Sequence, residues 1–233
     1  MSYVKYCKIM IKSSSYTYFA ACCDGLNQNE LNYLLRYACQ FNHAYNTIGY
    51  LIKRGANLDN YDNCSDKPLF IACQTDNNLN NIKYLIKAGA DPNFVSDTGN
   101  NLLLFACMKS TDKRTAKWLI KLGLDVNQCN TKGNTPLIYA CQLKNSNSLV
   151  RVLVNNGADI NHVNNKGQTP LYFAIAFNKG QVDIIKYLIK KGANVDLVFD
   201  YPELQDDERD LLQTLCQQNI KKIKKNAKSA VYI

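Results

Sequence analysis

The chain has 233 residues, 46% apolar and 20% charged, with a formal charge of +9; this excludes a disordered or fibrous chain and leaves room for a sizeable core. No apolar run approaches the roughly 18 residues a membrane-spanning helix needs, and Lys5, Lys8 and Lys12 interrupt the N-terminus before a signal-peptide apolar region could form. The expectation is a cytoplasmic protein without membrane attachment, with the nucleus as the alternative location. Five of the positive charges, Lys221, Lys222, Lys224, Lys225 and Lys228, fall in the last thirteen residues, so the rest of the chain is only mildly basic.

A fixed period organises the chain. Leu35, Leu69, Leu103, Leu137 and Leu171 stand 34 residues apart, as do Ala38, Ala72, Ala106, Ala140 and Ala174. In a second register Leu51, Leu85, Leu119, Leu153 and Leu188 precede Gly55, Gly89, Gly123, Gly157 and Gly192, the last interval slipping by one residue near Asn178-Lys179-Gly180. In chain order, residues 1–27 show apolar residues from Tyr3 to Cys23 without a hairpin glycine and read as a helical N-terminal cap. Residues 28–60 form a degenerate first repeat, with Tyr33-Leu34 where later repeats place Thr-Pro. Repeats follow at 61–94, 95–128, 129–162 and 163–198.

Each repeat predicts the same small unit. Thr135 and Thr169 can cap a helix through their hydroxyls, and Pro136 and Pro170 suit its first position, where the missing N–H is no loss. After a polar break at Lys144 to Asn147, a second helix carries Leu149, Val150, Leu153 and Val154 at helical spacing. Gly157 ends it in a left-handed conformation, and the Asn- and Gly-rich stretch ADINHVNNKGQ suits a tight hairpin. Residues 199–233 hold the acidic Asp206-Asp207-Glu208, placed near a helix start where negative charge is favourable. Leu211 to Gln217 then echo Leu34 to Gln40, giving a degenerate sixth repeat that closes with a helix near Ile220 to Lys225 and a basic tail. A helix-turn-helix-hairpin unit cannot bury its apolar face alone, so the repeats must stack into an all-α solenoid.

The segments Gly133-x-Thr135-Pro136-Leu137 with Ala140, and Gly167-x-Thr169-Pro170-Leu171 with Ala174, together with Gly-Ala-Asp at Gly89 and Gly157, resemble the ankyrin-repeat family over about residues 28 to 198. The unit is one residue longer than the family's usual period near 33, and Phe70, Leu104, Ile138 and Tyr172 replace the family's His. The resemblance implies a monomeric, non-catalytic ankyrin solenoid that binds a protein partner through a concave face. It places the partner-binding tips at Asp66, Asp97, Asn100, Thr131, Lys132, Asn134, Asn165, Lys166 and Gln168, with Met108, Gln142, Leu143 and Phe177 added by the first helices. Asn127 and Asn161 share the spacing of ankyrin repeats that are asparaginyl-hydroxylase substrates, but side-chain to backbone bonding in the hairpin is the favoured role.

Catalysis has little to stand on. The two histidines, His43 and His162, have polar neighbours and no accompanying nucleophile, which favours a surface or locally bonded role. The glycines belong to the repeat register rather than to a phosphate loop. Among ten cysteines no C-x-x-C occurs, and Cys39, Cys73, Cys107 and Cys141 share the repeat interval beside the alanines, as a buried core column would. No catalytic residue, metal ligand or cofactor is therefore expected. Two alternatives to concave-face binding are nucleic-acid or import-receptor association through the lysine tail, and service as the targeting module of a ubiquitin-ligase adaptor or effector, for which no recruiting motif is found.

Overall fold

Every regular element described is a helix, and the helices come in pairs. The computed structural model describes residues 3–13, 16–23, 25–59, 67–76, 78–177, 182–199, 204–215 and 217, and the chain divides into two compact units, residues 1–124 and 125–233. In the first unit α1 (Tyr3–Lys12) packs on α2 (Tyr16–Cys22), α3 (Gln28–Ala38) on α4 (Tyr45–Lys53), α5 (Pro68–Cys73) on α6 (Leu79–Lys87), and α7 (Leu102–Lys109) on α8 (Lys113–Lys121). The first helices form one row, α1 on α3, α3 on α5 and α5 on α7, and the second helices form another, α2 on α4 and α4 on α6. The second unit repeats the scheme, with α9 (Pro136–Gln142) on α10 (Asn147–Asn155), α11 (Pro170–Phe177) on α12 (Val182–Lys190), α9 on α11 and α10 on α12. A short α13 (Asp196–Phe199) and a helical stretch at 206–215 follow. The helix proposed near Ile220 to Lys225 and the lysine tail lie outside the described residues.

The caps are those the sequence predicts, with two departures. Thr135 accepts from the Ile138 amide at 3.4 Å and Thr169 from the Tyr172 amide at 3.2 Å, each with proline opening the helix behind it. Asn101 does the same for Leu104 at 2.9 Å. At the equivalent position of α5 stands Lys67, which makes no cap bond; its buried ammonium lies 3.4 Å from Asp59 and 3.8 Å from the centroid of the Phe94 ring. The first repeat differs more. Tyr33-Leu34 does not begin a helix: α3 starts at Gln28, because Asn27 and Glu30 form a reciprocal capping box and no proline stops the helix from extending back that far. A second departure is Gly25, which follows α2 with φ +86°, so the N-terminal helix pair does end on a left-handed glycine.

The periodic columns are the core. All five register leucines of the first helices and all five of the second are fully buried, and the alanine column is at most 3% exposed. Phe70, Leu104, Ile138 and Tyr172 are buried as well, as are Phe105 and Phe173; Phe70 meets Phe105 edge-on at 4.8 Å between ring centroids. The second helices end in a Schellman arrangement: Ala158 donates to the Leu153 carbonyl at 3.0 Å, Gly157 donates to Val154, and Gly157 holds φ +89°.

Two predictions follow from this packing. Leu153→Ala should lower the unfolding free energy by about 2 to 5 kcal/mol in a urea titration, because a fully buried leucine leaves a cavity; a loss under about half a kilocalorie would show that the register is misassigned. The two glycine types should also separate. A Cβ at Gly157 meets nothing within 4 Å, so Gly157→Ala bears the left-handed backbone penalty of about 1 kcal/mol alone. A Cβ at Gly133, φ +73°, would lie 2.8 Å from the Asn165 amide nitrogen. Gly133→Ala should therefore lower the melting temperature more than Gly157→Ala does, and equal melting of the two would contradict the close approach of the hairpins.

Candidate functional site

The hairpins share one geometry. Residues 96–100, 130–134 and 164–168 each close on a reverse turn: Ser96, Asn130 and Asn164 donate to the carbonyls of Asn100, Asn134 and Gln168 at 3.0 to 3.1 Å, while Gly99, Gly133 and Gly167 donate back across the turn. Asn130 Oδ1 accepts from the amides of Lys132 and Asn134, and Asn164 Oδ1 from those of Lys166 and Gln168, so each asparagine holds its loop by side-chain to backbone bonds. In the second unit the two hairpins are tied together. Asn165 donates its amide to Lys132 O at 3.2 Å and its side chain to Thr131 O at 3.0 Å, and His162 Nε2 lies 2.8 Å from Gly133 O.

These bonds decide which candidate residues remain on the surface. Asn100, Asn134 and Gln168 are buried and engaged inside the hairpins: Asn100 Nδ2 donates to Thr98, and Asn164 Nδ2 donates to both Asn134 Oδ1 and Gln168 Oε1. The polar atoms of these three side chains thus satisfy the loop. Asp97 in the first unit is exposed, as are Thr131, Lys132, Asn165 and Lys166 in the second; Met108, Gln142 and Leu143 are half-buried. Phe177, at the end of α11, is 54% exposed beside the buried Phe173, whose ring centroid is 5.8 Å away. Asp66 lies outside the described residues.

A second polar ladder joins successive repeats beneath the tips. Asn127 Nδ2 donates to Gly157 O while its Oδ1 accepts from the Asp159 amide; one repeat later Asn161 does the same with Gly192 O and the Asn194 amide. Asp125 and Asp159 in turn accept from the amides of Asn127 and Asn161. The asparagine side chains thus bridge neighbouring repeats, while the aspartates two residues earlier brace the loop.

Candidate reactive groups are placed in structural roles. His43 Nε2 lies 3.0 Å from Ile11 O. Among the described residues no cluster of His, Cys, Asp or Glu could hold a metal ion. Cys39, Cys73, Cys107 and Cys141 are buried; burial pushes the Cys107 thiol up to about 12 and the other three upward too. With the thiolate suppressed, these four should resist a thiol reagent in the native protein, while exposed Cys129 labels at once. Fast native labelling of the column would contradict its core placement.

The sequence suggested no functional residue on the second helices, yet the structure opens a groove of about 580 Å³ there in the second unit, lined by Arg151 and Asn155 from α10 and by Asp183, Lys186, Tyr187 and Lys190 from α12. Its signal is the hexapeptide Ile-Lys-Tyr-Leu-Ile-Lys, present at both 82–87 and 185–190.

Comparison with known proteins agrees with this architecture. A family model of ankyrin repeats (3 copies) matches residues 7–96 and 103–198. A search of curated proteins returns no match. The first matched segment begins within α1, so it takes in the N-terminal helix pair that ends on Gly25. Stacked helix pairs, glycine-stopped second helices and a match over most of the length lead to one conclusion: the chain belongs to the ankyrin-repeat family.

Proposed function

We propose that this chain binds a protein partner through its hairpin side, the tips together with the C-terminal ends of the first helices, and catalyses no reaction itself. Ankyrin repeats are protein–protein interaction modules, and among the described residues no helix is long and apolar enough to cross a membrane. The observation that carries the choice of face is Phe177. In α11 the residues from Pro170 to Ile175 are buried, yet the last aromatic is left more than half exposed. Leu143, one repeat earlier in the register, ends α9 half-buried. An apolar anchor together with exposed Thr131, Lys132, Asn165 and Lys166 has the composition of a binding centre with a polar rim. Asp97 and Met108 hold the corresponding register positions in the first unit.

Lys132→Glu and Lys166→Glu combined with Phe177→Ala should sharply weaken capture of the partner, because a hot spot is worth about 2 kcal/mol or more. All three side chains leave the core intact, so the circular dichroism spectrum should match the parent's. Removal of the chain from Lys221 onward should matter little for that partner. The opposite pattern, full binding by the triple variant and none after removal of the tail, would transfer the function to the basic terminus.

A further inference from the structure

The second helices carry a charge pattern that the hairpin-side function does not use. The sequences of α4, α6, α8, α10 and α12 contain ten Lys or Arg and a single acid, Asp183. Carboxylates such as Asp91, Asp97, Asp125 and Asp159 stand in hairpins instead, so within each unit the second helices form a basic row. Within the second unit this row opens into the groove between α10 and α12. Tyr187 forms its floor, its hydroxyl donating to Asn155 Oδ1 at 3.3 Å and its ring lying 4.3 Å beneath the Arg151 guanidinium. Lys186 and Lys190 stand one turn apart on α12, with Lys191 just beyond, and all three are exposed. Among the described residues Arg151, Lys186, Lys190 and Lys191 have no carboxylate within ion-pair distance.

The same positions recur in the first unit. Asn80, Lys83, Tyr84 and Lys87 line a smaller groove of about 370 Å³ between α4 and α6, in the registers of Asp183, Lys186, Tyr187 and Lys190. What differs is the neighbouring helix: α4 has Gly49 in the register where α10 supplies Arg151. The second-unit groove therefore adds a planar guanidinium, which pairs with carboxylates in a fixed fork geometry.

We infer that the groove between α10 and α12 is a docking site for an acidic segment of a protein partner, its Asp or Glu carboxylates paired with Arg151, Lys186 and Lys190. Charge complementarity selects an anionic occupant. The groove's other features select a polypeptide over a nucleic acid. Single-stranded nucleic acid is held by bases stacked on open aromatic rings, whereas Tyr187 is 8% exposed and capped by Arg151. Asp183 and Asn155 on the groove wall can accept hydrogen bonds from peptide N–H groups, donors that a phosphodiester backbone lacks. This site lies apart from the hairpin-side face, and either can fail without the other.

The test uses the full chain and a fluorescein-labelled peptide of about ten residues rich in Glu, long enough to outspan α12, followed by fluorescence anisotropy. The parent should bind it, more weakly as ionic strength rises through about 0.15 M. Arg151→Glu with Lys186→Glu and Lys190→Glu should raise Kd at least about tenfold. Lys186→Glu with Lys190→Glu, which leaves the Arg151–Tyr187 stack in place, should give a clear part of that loss and covers the case in which the triple variant fails to fold. A charge-matched control, Lys12→Glu with Lys109→Glu and Lys144→Glu at exposed positions elsewhere, should bind like the parent. The proposal is overturned if the groove variants bind as the parent does, or if the control loses as much, since net charge alone would then be responsible. It is equally overturned if the peptide fails to bind while a labelled oligo-dT binds and is lost on groove reversal, which would make the groove a nucleic-acid surface.

Discussion

Paired helices of six to eleven residues are too short to persist in water by themselves, so within each unit burial of one pair against the next is what holds the chain folded. The alanine column shows how. With at most 3% of each alanine exposed, first helices of the same row approach closely, and the leucines on either side can be fully enclosed. Adding a side chain at that column would separate the row and uncover leucines of two repeats at once. Stability is therefore a property of neighbouring repeats rather than of any one of them.

Polar groups are matched to the same requirement. A stack of short helices has many ends, each with unpaired N–H and C=O groups, and the repeated residues answer for them. Threonine or asparagine caps the first helix, and the left-handed glycine returns two amides to the end of the second. Asn78 and Ser146 donate from the start of a second helix to the carbonyls of Ala72 and Ala140 at the end of the first. Asn127 and Asn161 carry the bonding on to the next repeat. These groups give direction to a stack that apolar contacts alone would leave free to slide, since hydrogen bonds of fixed geometry tolerate little displacement.

Much of this could be read from the chain because a repeat states the same constraint several times. Leu137 alone says little, but leucine at five positions 34 residues apart fixes a core column, and the glycines fix the ends of the second helices. Features that occur once were harder to read. The start of α3 depends on Asn27 and Glu30, a capping box that lies outside the repeat register and has to compete with Tyr33-Leu34 for notice. Gly25 likewise falls outside the register: its spacing to Gly55 is 30 rather than 34. On the hairpin side, sequence position picked out the tips but not their inward-turned members. Asn100, Asn134 and Gln168 are polar and stand in loops, yet Asn134 and Gln168 receive hydrogen bonds from a neighbouring Asn164 whose placement depends on the fold.

The charge distribution was hidden for a different reason. Net charge averages over the chain, whereas a repeat fold sorts positions by register, so that within the second unit hairpin carboxylates such as Asp125 and Asp159 are separated from second-helix cations such as Lys186 and Lys190. The interval between Lys83 and Lys87, like that between Lys186 and Lys190, is four residues, so each pair shares one helix face. Like charges at that spacing repel, which weakens an isolated helix by a few tenths of a kilocalorie. Burial of Leu85 and Leu188 between them outweighs that term by roughly an order of magnitude. The packed repeat can thus carry paired lysines at a spacing that disfavours an isolated helix, and a partner bearing opposite charge would relieve the repulsion as it binds.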